Sequence, residues 1–108
     1  MKNIFNIDIP YHLSYNIKVE YFDWNEIKNN KLKKEREIGF EQAVEAITSD
    51  NLIKVEKNPS KKYPNQHIYI ININNYCYLV PFVKDDSKVF LKTIIPSRKA
   101  TKKYIKNL

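Results

Sequence analysis

Apolar side chains in the first twenty residues keep largely to odd positions. Phe5, Ile7, Ile9, Tyr11, Leu13, Tyr15, Ile17 and Val19 alternate with polar neighbours, Ile4 being the exception. A period of two is that of a strand with one buried face, so this segment predicts one or two strands, broken or turned near Pro10. An added edge strand and a segment that docks on a partner both fit the pattern.

The period then lengthens. Asp23-Trp24-Asn25-Glu26 has the form of a capping box, in which Asp23 accepts from first-turn amides and Glu26 reaches back to the N–H of the cap residue. The helix it opens is expected to run to about Glu37, mostly charged and anchored by Ile27 and Leu32. Gly39 punctuates the chain. Phe40, Ala43, Val44 and Ile47 follow at i, i+3, i+4 and i+7, which predicts a second, amphipathic helix ended by Ser49-Asp50-Asn51.

Strand patterns fill the second half. Leu52 to Glu56 is a short strand, and Asn58 to Asn65 is a loop carrying two prolines. His67 to Ile73 and Tyr76 to Val83 are joined by Asn74-Asn75, a pair that tolerates the positive φ of a tight hairpin. Asp85 to Lys88 turns the chain into a last strand, Val89 to Ile95. Links this short force antiparallel neighbours. The expectation is an α+β fold: an antiparallel meander sheet with two helices packed on one face and a short C-terminal helix.

Composition fits one folded domain. The chain has 108 residues, 43% of them hydrophobic, enough for one modest core. Lys and Arg number 19 against 12 Asp and Glu, a net charge of +7 that favours polyanionic partners such as RNA, DNA or an acidic protein. No apolar run approaches the roughly 20 residues that span a bilayer, so no membrane partner is expected. The start lacks a signal-peptide pattern, and the single cysteine, Cys77, excludes an internal disulfide, which makes the cytoplasm the expected location. His12 and His67 are far apart in sequence, and no Asp, Glu or His cluster has ligand spacing, so no metal or other cofactor is expected. Gly39 is the only glycine, which removes a glycine-rich phosphate loop.

The positive charge is concentrated at the C-terminus. After Ile94-Ile95-Pro96, Ser97 is a natural N-cap for a short helix beginning near Arg98. On that helix Lys99, Lys102, Lys103 and Lys106 share one face, while Ala100, Thr101, Tyr104, Ile105 and Leu108 fall mostly on the other. Such a strip is either a phosphate contact or a solvated terminal face.

Three segments together resemble a known family: Phe22-Asp23-Trp24-Asn25-Glu26-x-Lys28-Asn29, Gly39-Phe40-Glu41-Gln42-Ala43-Val44, and Ile94-Ile95-x-x-Arg98-Lys99-Ala100-Thr101. They look like the BrnT toxins, small RelE-like ribonucleases of bacterial type II toxin–antitoxin pairs. The resemblance covers residues 21 to about 104. It implies a RelE-like toxin domain over residues 21–108, with residues 1–20 as an N-terminal extension. It also implies metal-independent cleavage of RNA that inhibits translation and growth. The implied partner is a cognate antitoxin of ribbon-helix-helix type, through which alone operator DNA is engaged. Arg98 falls on the arginine of the last motif and Lys99 on a usually basic position. The chain departs from the family at Arg36, where a histidine is usual, and at Pro96 and Tyr104.

Cleavage by the RNA's own 2′-OH needs a base, a cation for the phosphorane charge and an acid for the leaving oxygen. Arg98 suits the cation, since its fork of donors matches phosphate oxygens and its charge does not titrate away. His67 is the candidate acid or base, with an ordinary strand-end histidine as the alternative. Lys92, Lys102 and Lys103 are candidate phosphate contacts beside Lys99, or an exposed strand and helix surface. Lys61, Lys62 and Tyr63 lie in a loop that closes over RNA, with Tyr63 stacking on a base, or that is merely solvated. Tyr76, Tyr78 and Cys77 read as an ordinary half-buried strand, with Cys77 a small buried hydrophobe. A non-catalytic nucleic-acid- or protein-binding module on the same fold is the second functional reading. In either reading the alternating N-terminus suits strand addition within a homo- or hetero-oligomer.

Overall fold

The computed structural model describes residues 5–6 and 21–105, with side chains from residue 21 onward. In chain order the elements are β1 (Phe5–Asn6), β2 (Tyr21–Trp24), α1 (Glu26–Arg36), α2 (Phe40–Ile47), β3 (Leu52–Lys57), β4 (His67–Ile73), β5 (Tyr76–Asp85), β6 (Lys88–Leu91), β7 (Ile95–Pro96) and α3 (Arg98–Tyr104). The α+β class expected from the sequence is what forms. Of the alternating N-terminal segment, only Phe5–Asn6 is described, paired antiparallel with β2. The rest of that expectation, with Lys106 and Leu108 of the tail, lies outside the described residues.

The strands form one sheet in the order β1-β2-β6-β5-β4-β3, with β7 also paired to β5. From β3 to β6 it is the expected antiparallel meander. The sheet as a whole is mixed, however, because β2 joins β6 in parallel, Phe22 opposite Val89 and Trp24 opposite Leu91. This pairing is driven by burial: Phe22, Trp24, Val89 and Leu91 are all at most 1% exposed. Each such side chain contributes about 1.5–3 kcal/mol on leaving water. Asn74 and Asn75 both take positive φ (54° and 64°), making the tight turn between β4 and β5.

The two sheet faces carry different helices. Tyr69 and Ile71 of β4 and Val80 and Phe82 of β5 point to one side, where α1 and α2 bring Leu32, Phe40, Ala43, Val44 and Ile47. Ile68 and Ile70 point to the other, where with Cys77 they pack against Ala100, Tyr104 and Ile105 of the C-terminal segment. The helices therefore do not share one face: α3 lies opposite α1 and α2. A strand reading Ile68-Tyr69-Ile70-Ile71, apolar on both sides, requires such double cover.

Three local expectations are corrected. Asn25, not Asp23, caps α1, its side chain accepting from Lys28 N at 3.0 Å. Asp23 belongs to β2, and Glu26 accepts from Trp24 Nε1 at 3.3 Å instead of closing a capping box. Ile27 is 80% exposed; the buried stripe of α1 is Asn29 and Leu32. The strand expected from Val89 to Ile95 is interrupted between β6 and β7, where Ile94 turns fully into the core.

Asn29 explains how α1 and α2 are locked together. Its Oδ1 accepts from Phe40 N at 2.7 Å, and its Nδ2 donates to both carboxylate oxygens of Glu41 at 3.1 Å. Glu41 also receives Lys33 Nζ at 3.1 Å. Partial burial raises the Glu41 pKa. The bonds from its own backbone N–H, Asn29 and Lys33, with the Lys33 charge, outweigh that and hold it below the ordinary value. Gly39 lies against this cluster: a Cβ there would come within 2.6 Å of Lys33 Cε and 2.9 Å of Asn29 Oδ1. Close approach, rather than positive φ, is what requires glycine.

Candidate nucleic-acid interface

The C-terminal helix forms because its start is chemically closed. The Ser97 side chain accepts from Ala100 N at 3.0 Å, the expected N-cap. Thr101, only 3% exposed, then fixes the helix to the sheet. Its hydroxyl donates to Ser97 O at 2.7 Å and accepts Cys77 N of β5 at 2.8 Å. With Ala100 buried beside it, one face of α3 is anchored and Arg98, Lys99, Lys102 and Lys103 are left exposed on the rest.

Lys102 and Lys103 in the last turn oppose the negative end of the helix dipole, a stabilising placement. Arg98 and Lys99 occupy the first turn, which has no acidic residue, and there the same dipole disfavours them. Folding alone does not account for basic residues at that end. Beside the helix, a shallow groove is lined by Glu56, Ile70, Leu79, Lys99, Lys103 and Tyr104.

His67 is exposed at the start of β4, opposite Lys57 on β3 and Phe82 on β5. Its ring is 5.9 Å from that of Phe82, which places it on the sheet face of α1 and α2. Arg98 opens the helix on the other face, at the level of Cys77, since Ser97 N bonds to Cys77 O. Cys77 to Phe82 along β5 is about 16 Å of strand rise. The structure does not bring Arg98 and His67 together.

The remaining candidates fall in two places. Lys61, Lys62 and Tyr63 are exposed on the β3–β4 loop, whose neck is closed by Asn58 N to Gln66 O at 2.9 Å and Asn58 Nδ2 to Gln66 Oε1 at 3.1 Å. That loop lies at the His67 end of the sheet. Lys92 is exposed just after β6, its Nζ 5.3 Å from the Phe90 ring centre.

Arg36 is a basic residue whose position the sequence did not reveal. Its Nη1 donates to the carbonyl of Ile94, so the last residue of α1 holds the break between β6 and β7, four positions before Arg98. Its only signal in the sequence is that it stands where the resembling family has a histidine.

Two buried titratable groups, Cys77 and Tyr69, are not poised for chemistry. Burial pushes the Cys77 thiol up, with the Thr101 hydroxyl pulling part of the way back. Such a thiol is a packing group rather than a nucleophile. Burial also drives the Tyr69 hydroxyl far above its ordinary value, and its ring stacks on Phe82 at 4.0 Å. Among the described residues no group of three His, Cys, Asp or Glu has the arrangement to hold a metal ion. Nor is any helix among them long and apolar enough to cross a membrane. Compared with protein-family models, curated proteins and solved structures, the chain matches none.

Proposed function

We propose that this protein binds RNA through the basic face of α3 and acts as the metal-independent endoribonuclease toxin of a type II toxin–antitoxin pair. The observation that carries the proposal is the anchored helix presenting Arg98, Lys99, Lys102 and Lys103 to solvent in a chain of net charge +7. Rigidly mounted cations suit a phosphate backbone, and Arg98 among them suits phosphorane charge. The α+β architecture and the three motif segments support the toxin assignment. An antitoxin, by this reading a ribbon-helix-helix protein with an acidic segment, masks the helix and carries the pair to operator DNA.

A second reading, a non-catalytic RNA- or protein-binding module, is favoured by one observation: His67 and Arg98 lie on opposite faces of the sheet. Induced expression of the wild type, Arg98→Ala and His67→Ala, with and without the neighbouring gene, separates the readings. The toxin arrests growth and fragments RNA, and both effects disappear with Arg98→Ala and with the neighbouring gene product. Intact RNA and unimpaired growth at confirmed soluble expression would leave the binding module. Unchanged toxicity of His67→Ala would remove that residue from the chemistry.

A further inference from the structure

The face of the sheet that α3 covers is only partly occupied by it. The helix packs over Ile68 and Ile70 of β4 and Cys77 and Leu79 of β5. Farther along the same face, alternation brings Lys88 and Phe90 of β6, and Lys92 just after it, to the surface, with Val83 of β5 on one side of Phe90 and Asp23 of β2 on the other. Leu91 and Val89, the intervening residues, are fully buried on the opposite side. Phe90 and Val83 are half-buried and, among the described residues, belong to neither core cluster.

The ring of Phe90 is bracketed by cations. Lys92 Nζ stands 5.3 Å and Lys88 Nζ 6.0 Å from its centre. Lys88 is also held by buried Asp23, 3.8 Å away, while Lys92 is exposed. Both ammonium groups lie over the ring. Once they swing to phosphates they free its face, and an aromatic ring flanked by two cations in the interior of a sheet then matches the repeating unit of a single nucleic-acid strand: a base to stack and phosphates on either side. A duplex cannot use such a site, because its bases are already stacked.

We propose that Lys88, Phe90 and Lys92 form a base-stacking site for single-stranded RNA, distinct from α3 and on the same face of the sheet. The proposal rests on the RNA-binding reading above and narrows it to unpaired strands. The flanking lysines engage the phosphates, and Phe90 takes one base without regard to its identity, since every base offers a π-face.

The test is fluorescence anisotropy with two labelled probes, a short oligouridine and an RNA duplex of equal charge, on the full chain. Phe90→Ala is expected to weaken oligouridine binding about tenfold, within the range for loss of one stacked base, and to leave the duplex unchanged. Phe90→Tyr restores binding. Because Phe90 is half-buried, the exposed Lys92→Ala is measured in parallel and weakens oligouridine more than duplex. The fluorescence of Trp24 reports whether each variant is folded. Equal loss on both probes, or none on either, in folded Phe90→Ala overturns the stacking site. If α3 variants abolish binding in that same experiment, the RNA-binding reading stands without it. A wild type that binds neither probe, or that binds polyglutamate in preference to RNA, overturns both.

Discussion

Replacing Asn29 by alanine tests whether the turn between α1 and α2 is held by one buried amide. Asn29 is fully buried, and its Oδ1 is the acceptor for Phe40 N. Truncation leaves that buried N–H without a partner, at a cost of about 1–3 kcal/mol. It also opens a small cavity, which adds to the loss because the surroundings relax only partly. The bonds to Glu41 contribute less, since that carboxylate is 40% exposed and water replaces them. The sum is about 2–4 kcal/mol, against a total stability of about 5–15 kcal/mol for a domain. For a chain of this length each kcal/mol moves Tm by about 4–8 °C, so a fall of about 10–25 °C is expected. Urea unfolding followed by the fluorescence of Trp24 measures it, because that ring is buried and stacked on Phe40 at 5.6 Å. A loss under about 0.5 kcal/mol with an unchanged m-value would refute the reasoning. It would mean that Phe40 N finds another acceptor.

Other outcomes follow from the same contacts. Thr101→Val keeps the shape of the side chain but strips Cys77 N of its acceptor, so a loss of about 1–3 kcal/mol in denaturant unfolding is expected. Hydrogen exchange should show the amides of α3 losing protection before those of β4. Glu41 has a folded pKa below its ordinary, unfolded value. Its stabilising contribution is therefore present above that pH and is lost as pH falls through the lower, folded value. Wild type should exceed Glu41→Gln in stability at neutral pH, and the two should converge on acidification. A constant gap across the acid range would contradict this.

What the sequence shows of this fold is mostly its local part. The i, i+3, i+4 pattern of Phe40, Ala43, Val44 and Ile47 and the Asn74-Asn75 turn depend on neighbours a few residues away, and both stand where expected. The cap of α1 is ambiguous in the sequence because Asp23 and Asn25 are both good caps. What decides between them is the parallel pairing of β2 with β6, more than sixty residues later. Hydrophobicity points to Ile27 as an anchor, whereas the packed position is the polar Asn29, satisfied on both sides of its amide. The opposite placement of α3 was legible in principle from the doubly apolar run Ile68 to Ile71. At the candidate interface the short basic helix was visible from Ser97 and its lysine spacing. The separation of Arg98 from His67 and the contact of Arg36 with Ile94 O depend on tertiary packing, which no spacing encodes.

The role of α3 is tested most directly by the salt dependence of RNA binding. Affinity of wild type and of a triple Lys99→Ala, Lys102→Ala, Lys103→Ala variant for a single-stranded RNA is measured across a range of salt concentration. All three side chains are exposed, so the substitutions leave the fold intact, which Trp24 fluorescence verifies. Each phosphate contact on a single strand contributes about 0.7 to the slope of log K against log salt. If α3 grips the backbone, the variant binds more weakly and its slope is shallower by about 2. Equal affinity and equal slope for the two proteins would place the RNA elsewhere or remove it altogether.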